Sequence, residues 1–292
     1  MTQAIETWQH RDIMTNGIRM HYVAQGTGPL LVLLHGFPEF WYSWRLQIPF
    51  LAELGYTVVA PDLRGYNETD KPSRGYDVPT LLRDIVGLIK GLGYEQAVIV
   101  GHDWGGALAW SFVLKYPHMT THLVVCNAPH PEAMQRELKT WKQLRKSWYI
   151  FALQVPWLPE YYLGRLHAAR IGQMIYGAAV QKAAFPSDVL ERYRVAMSKP
   201  GALKASINYY RATFRNPFNF LGSSKPSVPQ ITTPTLLIWG EQDVALDIAL
   251  TKGLESWVPD ILIKYVPDSG HWVQQEKSEL VNQLLEDFLE LA

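Results

Sequence analysis

The stretch Val98-Ile99-Val100-Gly101-His102-Asp103-Trp104-Gly105-Gly106-Ala107 constrains the fold more than any other part of the chain. It opens as an apolar, β-branched run that reads as a buried strand. It passes through Gly-x-Asp-x-Gly into Ala107-Leu108-Ala109-Trp110-Ser111-Phe112-Val113-Leu114, which reads as a buried helix. Glycines two before and two after the central residue let a strand turn sharply into a helix. The central side chain is then pushed out above the sheet, as in a nucleophile elbow. That residue is usually Ser; here it is the acid Asp103.

The segments around this elbow alternate between strand and helix. Ile18 to Ala24 alternates in polarity and reads as an antiparallel edge strand. Leu30-Leu31-Val32-Leu33-Leu34 and Thr57-Val58-Val59-Ala60 read as strands buried on both faces, and Leu123 to Cys126 as another strand. Helical patterns run from Ser43 to Leu54, from Leu81 to Leu92 and from the elbow to Lys115. The pattern resumes with strands Pro234–Trp239 and Ile261–Tyr265, and with helices Ala245–Trp257 and Glu276–Leu291. Strands and helices in alternation predict an α/β fold, a mostly parallel sheet covered by helices on both faces.

Between Pro129 and Pro229 no buried strand is found. Helices are expected over Glu132–Leu153, Leu158–His167, Arg170–Phe185, Asp188–Ala196 and Ala202–Phe214, followed by a Pro- and Ser-rich return over 216–230. The expected organisation is a core made of residues 1–129 and 230–292, with a helical lid, 130–229, inserted after the sixth strand. Such an insertion falls at the carboxyl end of the strands, where open α/β sheets bind ligands.

With 48% hydrophobic residues, 292 residues can bury a sizeable core. Twenty-seven basic and 27 acidic residues give zero net charge, which argues against nucleic acid or an anionic membrane as partner. No run approaches the roughly 18 uncharged apolar residues of a membrane span. Residues 1–11 carry charges and no apolar run, unlike a secretory signal. The single cysteine, Cys126, excludes an internal disulfide, reads as core filler and suits a cytoplasmic protein. A monomer or homodimer is expected.

Three loops after strands carry the polar residues that matter. Asp103 is on the elbow, Asp243 lies in Gly240-Glu241-Gln242-Asp243, and His271 lies in Gly270-His271-Trp272. Nucleophile, acid, then His is the chain order of an α/β-hydrolase triad. Asn127 cannot act as a carboxylate, which favours Asp243 over Glu241 or Asp247 as the acid. His35-Gly36-Phe37-Pro38 follows a buried strand, so the N–H groups of Phe37 and Trp104 can form an oxyanion hole.

An Asp with a pKa near 3.9 is ionised at neutral pH and suits attack on an sp³ carbon. The resulting ester needs hydrolysis, for which His271 is free to activate water. A leaving alkoxide needs hydrogen-bond donors, and the insertion holds phenols in Trp148-Tyr149-Ile150-Phe151 and Asn208-Tyr209-Tyr210-Arg211.

These motifs, with Pro61-Asp62-Leu63-Arg64-Gly65-Tyr66, resemble the α/β-hydrolase-fold epoxide hydrolases of the soluble type over nearly the whole chain. The resemblance implies an eight-stranded sheet and conversion of epoxides to vicinal diols without cofactor or metal. It implies water and a small apolar epoxide as the only partners, and two lid tyrosines above the nucleophile. Tyr210 matches one through Asn208-Tyr209-Tyr210-Arg211. Tyr149 matches the other through its spacing to Gln154 and Pro156. His35, Phe37, Pro38, Trp104, Trp148, Ile150 and Trp272 are expected as pocket walls. Haloalkane dehalogenases share the Asp elbow but hold halide with a side-chain donor where this chain has Phe37. Fluoroacetate dehalogenases carry Arg where this chain has Trp104. A non-catalytic lidded binding protein would not need the triad.

Overall fold

The computed structural model describes residues 8–215 and 229–290. Its strands are β1 (Gln9–Thr15), β2 (Ile18–Gln25), β3 (Leu30–Leu34), β4 (Thr57–Pro61), β5 (Ala97–His102), β6 (Thr120–Cys126), β7 (Thr235–Gly240) and β8 (Ile261–Val266). They form one eight-stranded sheet in the order β1-β2-β4-β3-β5-β6-β7-β8. β1, β2 and β4 pair antiparallel, and all other pairs are parallel. β3, β5 and β7 are buried along their whole length, as continuous apolar runs in a two-faced sheet require.

The helices α1 (Ile48–Glu53), α2 (Val78–Gly91), α3 (Trp104–Lys115), α10 (Val273–Glu276) and α11 (Ser278–Glu290) belong to the sheet's layers. Between β6 and β7 lie α4 (Pro131–Glu137), α5 (Trp141–Lys146), α6 (Trp148–Ala152), α7 (Leu158–Ala178), α8 (Ser187–Ser198) and α9 (Ala202–Phe214). The expected return over 216–230 lies almost wholly outside the described residues.

Several elements differ from expectation, each for a local reason. The strand at Ile18 is not the edge: β1, mostly polar and exposed, lies outside it. The helix expected over Ser43–Leu54 is a 3₁₀ turn, Trp41–Trp44, followed by α1, because Pro49 has no N–H to continue a helix from the preceding turn. Glu132–Leu153 breaks into three helices. The Thr140 hydroxyl caps α5 through the Gln143 N–H, and Ser147 ends it. The two helices expected over Leu158–His167 and Arg170–Phe185 are present, since α7 breaks at 165–168, where Leu166, His167 and Ala168 are left-handed; the second ends at Ala178 rather than Phe185. Ala245–Trp257 holds two 3₁₀ turns, Ile248–Thr251 and Leu254–Ser256. The two turns are separated by Lys252 in an extended conformation and Gly253 with a left-handed φ of 68°, which breaks the helical path.

Candidate active site

The elbow is as tight as its glycines imply. Asp103 adopts φ 50°, ψ −118°, a conformation disfavoured for a residue with a Cβ. A Cβ on Gly101 would lie 2.3 Å from the Gly105 carbonyl oxygen, and one on Gly105 would lie 2.1 Å from that of Leu34. Neither position tolerates a side chain while β5 turns into α3. Gly36 is equally constrained, since its Cβ would meet the Asp103 Cβ at 2.4 Å. The loop after β3 thereby lies directly against the elbow, and the Phe37 N–H donates to Asp103 Oδ1 at 2.8 Å. Trp104 opens α3, with its ring buried against Tyr209 and Tyr210.

His271 stands between two carboxylates. Its Nδ1 is 2.7 Å from Asp243 Oδ2, and its Nε2 is 3.6 Å from Asp103 Oδ2. Asp243 is fully engaged: Oδ1 accepts from the N–H groups of Ala245 and Leu246, and Oδ2 accepts from Asn127 and His271. Burial disfavours the Asp103 and Asp243 charges, yet His271 and these donors hold both carboxyl groups below the ordinary Asp range. For His271, burial opposes the cation, but Asp243 first and then Asp103 raise its pKa well above the usual value.

The phenols of the insertion meet over this group. A cavity of about 390 Å³ is lined by Asp103, Trp104, Tyr149, Ile150, Tyr210 and Leu246, among others. The Tyr149 and Tyr210 rings lie edge to face, 6.0 Å between centroids. Burial, then the negative charge of Asp103, raises both phenol pKa values. Tyr209 turns the other way and donates from its hydroxyl to the Arg64 carbonyl at 2.7 Å. Of the two adjacent tyrosines, Tyr210 therefore faces the cavity.

Five expected wall residues are not among the residues lining that cavity. His35 is buried beneath the loop, where Nδ1 faces the Gly36 carbonyl and Nε2 accepts from the Leu63 N–H. Pro38 is buried in the turn closed by the Glu39 N–H to Gly36 carbonyl bond. Trp272 packs between His271 and Phe185. Trp148 is 67% exposed, because α6 turns Tyr149 and Ile150 inward and Trp148 outward. Trp104 and Ile150 line the cavity as expected, whereas the Phe37 ring packs edge to face against Tyr210 behind it.

Two functional groups were not anticipated. Asn127 follows β6 with a left-handed φ of 38°, which Asn tolerates. Its amide donates to Asp243 Oδ2 and the Gly240 carbonyl, and its Oδ1 accepts from the Gly240 N–H at 2.8 Å. The strand-end position carried the signal; its lack of charge hid a donor role. Replacing Asn127 with Ala should remove about 2–3 kcal/mol of stability, from three buried hydrogen bonds, and slow turnover. Chemical denaturation measures the first effect, and an unchanged unfolding midpoint would contradict it. The second group is Glu39, which accepts from His102 Nδ1 at 2.7 Å and from the Gly36 N–H and the Gln275 amide. His102 Nε2 meets the His271 carbonyl at 2.9 Å, so this buried pair ties the loop after β3 to the loop carrying His271. His102 lies in the elbow and Glu39 follows directly on His35-Gly36-Phe37-Pro38, yet only the fold reveals that they touch.

A family model described as the α/β-hydrolase fold matches residues 29–278. Among curated proteins, the chain is 39% identical over 284 residues to Epoxide hydrolase 3 of Xenopus tropicalis, covering 94% of this chain and 75% of that protein. It is 41% identical over 282 residues to the AB hydrolase superfamily protein YfhM of Bacillus subtilis (strain 168), covering 95% and 96%. Among solved structures, an epoxide hydrolase of Bacillus megaterium in complex with an inhibitor superimposes with a TM-score of 0.90. It is 31% identical and covers 96% of this chain and 100% of that chain.

Proposed function

Since the chain belongs to the epoxide hydrolases of the α/β-hydrolase fold, we propose that it converts a small apolar epoxide and water to a vicinal diol through an ester on Asp103. The observation that carries this reading is a shared cavity: the Asp103 carboxylate and the Tyr149 and Tyr210 phenols line the same space. In this reading residues 130–229 are the cap over a core formed by 1–129 and 230–292.

Asp103 Oδ2 attacks a ring carbon of the epoxide, and the C–O bond to that carbon breaks. The phenols of Tyr149 and Tyr210 hydrogen-bond the epoxide oxygen, and one proton passes to the departing alkoxide. Oδ1, held by the Phe37 N–H, becomes the carbonyl oxygen of the ester. His271 then takes a proton from water through Nε2, and the hydroxide adds to the Asp103 carbonyl carbon. Oxyanion charge gathers on Oδ1, against the Phe37 and Trp104 N–H groups. Collapse breaks the bond from the carbonyl carbon to Oδ2; the departing diol oxygen takes the proton held by His271, and the acid proton left on Asp103 returns to the tyrosinate, restoring carboxylate, imidazole and phenol. Asp243 holds the imidazole with Nε2 toward Asp103 and stabilises its positive charge.

Forming the ester also prepares the base. Free Asp103 is one of the two carboxylates that raise the His271 pKa. Alkylation neutralises it, so the His271 pKa falls, which shifts the imidazole toward the neutral form that can activate water.

The direct test offers a styrene oxide-like epoxide and, separately, chloro- and bromoalkanes. Diol without halide release is expected, because the Phe37 side chain has no donor for a halide. Halide release without diol would favour dehalogenation instead. The pH dependence gives a second test. Because Tyr149 and Tyr210 titrate above the ordinary phenol value, near 10, both stay protonated donors as pH rises. The single-turnover rate of ester formation should therefore be flat from neutrality to about pH 10. A fall centred near pH 9 would contradict the assignment.

A further inference from the structure

Zero net charge conceals a strong division of charge along the chain. Residues 131–215 hold 14 Lys and Arg against five Asp and Glu, so the remainder carries nine excess negative charges. The same segment exposes its aromatic residues. Trp141 is 77% exposed, Trp148 67% and Trp157 74%, with Phe151, Tyr161 and Tyr162 also exposed. All lie between Trp141 and Leu166, on α5, α6 and the first half of α7. A folded surface rarely gathers so many large apolar side chains without a partner.

The charges in this stretch are distributed in a way that matters. Lys139, Arg145 and Arg165 are exposed, and Arg165 lies over the Tyr161 ring. Lys142 and Lys146 pair with Asp247 from the core, although Lys142 stays largely exposed. The one acid of the stretch, Glu160, is held by Arg211. The face is therefore cationic and rich in Trp and Tyr. That pairing suits the headgroup region of a bilayer, where amphipathic rings sit at the interface and basic residues meet anionic lipid.

We propose that the α5–α7 face docks on an anionic lipid surface. Two copies of this cationic face would repel in a symmetric pair, and the Trp/Tyr content suits a lipid interface, which together favour lipid over a second copy of this chain. α6 links this face to the site, since Trp148 and Phe151 point outward while Tyr149 and Ile150 line the cavity. An apolar epoxide dissolved in the bilayer would be delivered beside the lid; this last step rests on the function proposed above, whereas the docking does not.

The test is flotation of the full chain with phosphatidylcholine vesicles, with and without phosphatidylglycerol. Binding is expected only to the anionic vesicles, and raising salt from about 0.05 to 0.5 M should release the wild-type protein. Lys139→Ser with Arg145→Ser should weaken binding by about tenfold, and Trp141→Ser with Phe151→Ser should also weaken it. The variants should keep the wild-type unfolding midpoint and the rate of diol formation from a freely soluble epoxide. Loss of vesicle binding with diol formation intact separates this proposal from the catalytic one. Wild-type protein that fails to float with anionic vesicles, or floats equally with neutral ones, overturns it. So would a lipid-free dimer that the serine variants dissociate while vesicle binding is unchanged, which would assign the face to a second copy.

Discussion

His271→Ala protein, mixed with an epoxide, should stop after one event per molecule and gain the mass of one substrate. Proteolysis should place the adduct on the peptide carrying Asp103. Asp103 needs no base, being held ionised beneath the ordinary Asp range. Water, by contrast, loses its base, and the ester should persist with hydrolysis slowed about 10²–10⁴-fold, the usual worth of general base catalysis. Removing the imidazole also removes the partner that holds the Asp103 pKa down. The adduct should therefore form more slowly below about pH 5 and normally at neutrality. Full turnover, or inactivity without any adduct at neutral pH, would refute the two-step route. Asp103→Ala is the companion control and should give neither diol nor adduct.

The second large effect is expected from Tyr149→Phe combined with Tyr210→Phe. Each phenol offers one hydrogen bond to the leaving oxygen, and the two rings sit together in the cavity wall. With one removed, the other still serves, so single variants should lose about tenfold or more. With both removed, an alkoxide would depart into an apolar pocket without a donor, and ring opening should fall at least about 10³-fold. Placed in the His271→Ala background, the double variant should form almost no ester in the time the parent forms it fully. That separates ring opening from ester hydrolysis. Rapid ester formation in the triple variant would remove the tyrosines from the mechanism. Tyr209→Phe serves as a contrast: its hydroxyl is bound to the Arg64 carbonyl, so it should affect stability more than ring opening.

Much of this architecture was legible before any coordinates. Gly101 reported a close approach to the Gly105 carbonyl four residues on, a steric limit local in sequence, whereas the approach of Gly105 to the Leu34 carbonyl is tertiary. The continuous apolar runs at Leu30–Leu34 and Ala97–Val100 reported burial on two faces. The chain order of Asp103, Asp243 and His271 predicted their association. Boundaries were harder to read, as between Ala245 and Trp257, where helical periodicity is realised as two 3₁₀ turns parted by the left-handed Gly253. Exposure was also hidden, since neighbours on the short α6 face opposite ways and Trp148 reads in sequence much like Ile150.

By itself the sequence determined the elbow, the acid at its apex and where most of the strands and helices fall, because these follow from local sterics and hydrophobic period. Only the tertiary structure decided that Tyr210 rather than Tyr209 enters the cavity. It also decided that Asn127 braces Asp243 across 116 positions, and that Glu39 and His102 meet beneath the triad. These are hydrogen bonds between residues far apart in the chain. Their partners are set by where β3, β5, β6 and β7 end side by side in the sheet, not by any spacing along the chain.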